Sequence, residues 1–203
     1  MVLAATTELE AINTLLAVIG EAPVSSLTGT LSVDVVIARS TLKEVSREVQ
    51  GIGWHFNTEF EVDLSPNEDD EIVVPTNAFQ VDLELAYLKG RDIVIRNNRL
   101  YDKIEHTYTF TDAVKATVVY GLDFEDLPPT ARDFIMVRAA RKMQDRVVGS
   151  DRHHRYNLRD EIEAKASFLH SDGDQADHSI FNHYEEYRIV GRQSALDRLN
   201  RLG

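Results

Sequence analysis

Cysteine is absent from all 203 residues. That excludes disulfides, thiolate nucleophiles and thiolate metal sites. No apolar run approaches the roughly 18 residues that a membrane span needs. The start, "MVLAATTELEAIN", carries no basic residue and turns amphipathic at once, unlike a signal peptide. A protein of the cytoplasm with no membrane partner is expected. Cations are short as well, 22 Lys and Arg against 34 Asp and Glu, for a net charge of −12. Phosphate binding needs clustered Lys and Arg, so specific nucleic-acid binding is not expected. No GxSxG, HExxH, P-loop or GxGxxG occurs.

What is present is 43% hydrophobic, enough for a real core and for one large domain or two small ones. The charge is uneven: residues 54–129 hold 16 carboxylates and 6 cations, whereas residues 130–170 hold 6 and 9. Such asymmetry suggests that different faces meet different partners.

Periodicity divides the chain into four parts. In residues 1–53, Thr7 and Glu10 form a capping box, and Leu9, Ile12, Leu16 and Ile19 recur at helical spacing. Gly20 and Pro23 end that helix. A second helix starts at Ser32, carries Val35, Ala38, Leu42, Val45 and Val49 on one stripe, and stops at Gly51 and Gly53. Residues 54–129 are rich in β-branched residues with partial alternation, which predicts a small antiparallel sheet. Asn97-Asn98 suits a tight hairpin turn, because Asn tolerates positive φ. "AFQVDLELAYLKG" fits either a strand or a helix. Residues 130–170 return to helical period, with Thr130 and Asp133 as a capping pair. One helix carries Met136, Ala140, Met143 and Val147 on its stripe. The next carries Leu158, Ile162, Ala166 and Leu169. Residues 171–203 lose periodicity and read as an extended arm. The fold class is α+β: a four-helix antiparallel bundle with an inserted small antiparallel β-region and an extended C-terminal arm.

Candidate chemistry is sparse. "GWHFNTEF" puts the single Trp beside His, Asn and Glu. On a strand, alternation would set Trp54, Phe56 and Phe60 on one face and His55, Asn57 and Glu59 on the other. That predicts a structural junction made by Gly51, Gly53, Trp54 and Phe56, not a catalytic pocket. Asp172, Asp174 and Asp177 look like fragments of a calcium loop, but the glycine is misplaced and no bidentate Glu follows. Neither a metal nor a cofactor is expected, and no catalytic residue is nominated. The basic residues Arg138, Arg141, Lys142, Arg146, Arg152, Arg155 and Arg159 lie on mixed faces and suit pairing with carboxylates. Glu68, Asp69, Asp70 and Glu71 form an acidic loop that repels phosphate.

The blocks "ELEAINTLLAVIGEAPVSSL", "TLKEVSREVQGIGWHFNTE" and "LPPTARDFIMVRAARKMQDRVVG" resemble the tail tubular protein A family of short-tailed bacteriophages, in order and spacing, over nearly the whole chain. The resemblance implies a structural head–tail adaptor of the virion tail, assembled in the host cytoplasm. It implies a homo-oligomeric ring, dodecameric in the virion. That ring would join the portal protein to the tail nozzle, tubular protein B, carry the tail fibres, and pass DNA through its lumen without specific binding. Two expectations follow. The acidic surface at Glu68, Asp69, Asp70 and Glu71 would face that DNA, and Ile180, Phe181, Tyr184, Tyr187 and Ile189 of the arm would bind the portal. The alternative is a tail-associated glycan hydrolase acting on host envelope polysaccharide, although nothing selects two of the many carboxylates for it.

Overall fold

The computed structural model describes residues 4–83, 90–149 and 151–175, with the backbone alone for 151–156. It is α+β, as the pattern predicts. Helix α1 spans Glu8–Val18 and α2 spans Val33–Gln50. A 3-10 turn, His55–Asn57, leads into the β-region. There, β1 is Thr58–Leu64, β2 Ala78–Leu83, β3 Ile93–Arg96, β4 Arg99–Asp102 and β5 Val114–Tyr120. Helix α3, Pro129–Val147, and helix α4, Asp151–Gln175, follow.

The helix ends are made by local chemistry. The Thr7–Glu10 capping box forms: Thr7 Oγ1 accepts from the Glu10 amide, and Glu10 accepts from the Thr7 amide at 2.8 Å. The Thr7 amide and the Thr7 hydroxyl, the latter at 3.0 Å, both donate to the Glu10 carboxylate and hold it below its ordinary pKa. Gly20, at φ +84°, lets the Glu21 amide reach back to Leu16 O in a Schellman closure. Ser32 caps α2, and all five stripe residues of that helix are buried. Helix α3 departs from expectation at its start. No Thr130–Asp133 capping pair forms; Pro129 occupies the first helical position, where a missing N–H costs nothing. Asp133 instead accepts from Thr6 Oγ1 at 2.8 Å.

Residues of all four helices contribute to one apolar core. Helix α3 is its hub, packing against α1, α2 and α4. It therefore buries more than one stripe: Ala131, Phe134, Ile135, Ala139, Ala140 and Met143 are inside, while Val147 is half exposed. Helix α4 also runs on through residues 171–175, which the sequence pattern placed in the arm. The calcium-loop fragment therefore does not exist as a loop over those residues.

The β-region has its own core, built on Leu64, Ile72, Val74, Leu83, Leu100, Phe110, Val114, Ala116 and Val118. Strand β5 is central in the antiparallel order β1-β5-β2, and β3-β4 forms a separate hairpin. Asn97 and Asn98 turn that hairpin at φ +51° and +57°, positive at both central positions as a primed turn requires. "AFQVDL" is strand rather than helix; the remainder of that ambiguous stretch, residues 84–89, lies outside the described residues.

Candidate functional site

The helix–sheet junction is built by backbone freedom and amide chemistry. Gly53 sits at φ +83°, and a Cβ there would lie 3.1 Å from Val119 Cγ2, so a side chain is disfavoured both by backbone conformation and by space. "GWHFN" is not a strand. Its 3-10 turn sends both Trp54 and Phe56 onto the helical core, while Phe60, placed with them by alternation, is 58% exposed. A register shift between Glu59 and Val62, with Glu61 at φ +54°, breaks the alternation there. Trp54 Nε1 donates to Val49 O at 2.6 Å. Its ring meets Phe168 of α4 edge-on at 4.6 Å, and Phe134 of α3 stacks on the same Phe168 at 5.7 Å.

Two amide side chains hold this junction: Gln50, which the sequence did not single out, and Asn57, which alternation placed with His55 and Glu59 away from the aromatic face and which the 3-10 turn instead buries. Asn57 is 2% exposed; its Oδ1 accepts from the Trp54 amide, and its Nδ2 donates to Gln50 O and Tyr120 O. Gln50, equally buried, accepts from the Leu122 amide at 2.7 Å and donates to Leu122 O at 3.0 Å. Each spans the helical layer and the end of β5. A buried amide can donate and accept at once, so it can satisfy two converging backbone segments. His55 and Glu59 point to solvent and take no part.

Hydrogen bonds tie down the acidic loop. Asn67 Oδ1 accepts from the amides of Asp69 and Glu71, and the Phe110 amide donates to Asp70 O at 2.8 Å. Glu68, Asp69 and Asp70 are exposed. Glu71 is half-buried and paired with Arg99 at 2.5 Å, so the free charge of the loop is three carboxylates.

The cations of α3 are consumed within the chain. Arg146 grips Glu44 of α2 with two bonds of 2.7 and 2.8 Å, and Lys142 bridges Glu44 and Glu48. These contacts, Arg146 first, push the Glu44 carboxyl down to about 2. Arg141 joins Glu161 of α4 and Asp145, and Arg138 joins Glu48. Arg159 pairs with Glu163 along α4. The described cations of α3 therefore tether it to α2 and α4 and form no open basic face, while the side chains of Arg152 and Arg155 lie outside the described residues. Among the described residues no group of three or more His, Asp or Glu could hold a metal ion.

One apolar face is turned outward. The predicted stripe of α4 is the exposed side: Ile162 is 60% exposed, Leu169 45% and Leu158 39%. The side packed inward is Glu161, Ala164 and Phe168. Phe168 completes the aromatic junction and Glu161 receives Arg141, and together they rotate the stripe away. Val33, Val36 and Ile37 form a second exposed set on one side of α2. The arm residues Ile180, Phe181, Tyr184, Tyr187 and Ile189 lie outside the described residues.

A family model described as "Tail tubular protein" matches residues 9–178. The chain is also similar to Tail tubular protein A of Klebsiella phage KP34, 36% identical over 126 residues. That match covers 61% of this chain and 64% of the relative, so the chain spans less than two thirds of the length of the relative.

Proposed function

From the premise that this chain belongs to the tail tubular protein family, the structural proteins of the phage virion tail, we propose that it is a head–tail adaptor. Copies form a closed ring, dodecameric in the virion, between the portal and the tail nozzle. The ring gives the tail fibres a seat and lets DNA pass during ejection. The observation that carries this reading is the outward apolar stripe of α4. A contiguous apolar helix face in water marks a surface meant to be covered. The stripe and the exposed set on α2 lie on different helices, which suits a heterologous contact that closes into a ring.

In this reading the four helices act as an antiparallel bundle that forms the rigid body of the subunit. Exposed carboxylates of residues 54–129 line the lumen, where anionic walls keep DNA from adhering. An inner wall lined mainly by Lys and Arg would refute that part. Residues 176–203 reach the portal through Ile180, Phe181, Tyr184, Tyr187 and Ile189. Removing them should leave the helices folded and weaken portal attachment; unchanged attachment would refute the assignment. The first test of the whole reading is cosedimentation of the purified chain with assembled portal rings. Saturable binding with a ring-sized mass increment is expected. No binding, together with turnover of envelope glycan, would overturn the adaptor in favour of a hydrolase.

A further inference from the structure

The ring reading requires two unlike faces, and the α3 cations cannot supply the positive one because they are spent inside the chain. The cations of residues 1–53 are Arg39, Lys43 and Arg47. They recur every fourth residue, which places them in one row along α2. All three line a cleft of about 500 Å³ between α2 and the ends of β2 and β5, floored by Phe79 and Leu122. Arg39 is paired with Glu8, and Glu125 at the rim is paired with Arg132. Lys43 and Arg47 have no ionic partner among the described residues and face one free carboxylate there, Asp123.

The opposite charge stands at the far end of the β-region. Strand β1 leaves the junction with Thr58 opposite Val119 and ends with Leu64 opposite Val114. Its seven residues carry the acidic loop roughly 20 Å from the cleft, at about 3.3 Å per residue. The loop is tied there by the Phe110 amide and by the Glu71–Arg99 pair, which hold Glu68, Asp69 and Asp70 away from their own cleft. An anionic tip pre-formed by these bonds loses less entropy on docking than a free loop would.

We infer that the Lys43–Arg47 cleft of one copy receives the Glu68–Asp70 loop of the next. The contact rests on the ring reading, and it moves Glu68, Asp69 and Asp70 from the lumen wall into the subunit interface. It is heterologous, since cleft and loop lie at opposite ends of one subunit, and repetition of it propagates head to tail.

The lack of cysteine makes the test clean. In purified tails, or in the oligomer of the purified chain, K43C/D69C or R47C/D69C should give a ladder of disulfide-linked multimers on non-reducing gels. The single variants should not. Charge reversal gives a second readout: K43E/R47E and E68K/D69K should each weaken self-association at least tenfold in sedimentation, and the chain carrying all four changes should regain it. Multimers with neither ladder nor rescue overturn this contact and leave the ring standing. Absence of multimers in both tails and solution overturns the ring reading, and this contact with it. DNA binding lost in K43E/R47E, with self-association unchanged, assigns the cleft to phosphate and also refutes the contact.

Discussion

Replacing Asn57 by alanine tests the junction most directly. The side chain is 2% exposed and makes three bonds to backbone, at 2.8, 2.9 and 2.7 Å. Each such bond contributes about 1 kcal/mol net, and a buried partner left unsatisfied costs about 1–3 kcal/mol. The Trp54 amide loses its acceptor, while the two carbonyls each lose a donor. Asn57→Ala should therefore destabilise the chain by about 3 kcal/mol, a large share of the roughly 5–15 kcal/mol typical of a domain. For a chain of this size that is a Tm drop of about 6–12 °C. Urea unfolding followed by fluorescence is the assay, because the single tryptophan is Trp54 itself, bonded to Val49 O at the same junction. Its emission should move to the red in the variant even before unfolding. A loss below about 1 kcal/mol with unchanged emission would show that Asn57 fills space and clamps nothing.

The other predictions concern charge, backbone and surface. Glu44 has a folded pKa of about 2 against an ordinary 4.5, so its contribution is present above pH 4.5 and is lost as pH falls towards 2. Because Glu44 is more than a third exposed, solvent screening keeps that contribution below about 1 kcal/mol. Urea midpoints at pH 5 and pH 3 should differ less in Glu44→Gln than in the parent, and equal pH dependence would refute the pairing. Gly53→Ala should cost about 1–2 kcal/mol by the same assay, from positive φ and the approach to Val119. Ile162→Asp should leave stability within about 0.5 kcal/mol, since the side chain is exposed, yet abolish oligomers in sedimentation. A stable variant that still assembles would show that the α4 stripe is no interface.

The surfaces of this subunit follow from where its charges are spent. Ion pairs that hold α3 to α2 and α4 leave few free cations among the described residues, and two of them share one cleft. A subunit with little unpaired positive charge offers few anchors for phosphate and can still recognise acidic protein loops. Gln50 and Asn57 tie the helical layer to the end of β5 by hydrogen bonds to backbone.

Much of the local structure was legible in the residues alone. Thr7 with Glu10, Ser32, Gly20 and Asn97-Asn98 specify ends and turns through bonds that close within a few residues. The five-residue stripe of α2 identifies its buried face because that helix packs on one side only. The rest needed the tertiary structure, because each missing element depends on partners distant in the chain. The apolar stripe of α4 faces out because Arg141 captures Glu161 and the junction aromatics capture Phe168. Arg138, Lys142 and Arg146 of α3 are neutral in effect because Glu44 and Glu48 lie opposite them on α2. Gln50 and Asn57 look like ordinary polar residues until Tyr120 and Leu122 arrive beside them. Periodicity records which positions are apolar; which of those become core and which remain surface is decided by the long-range pairs that set how each helix is rotated.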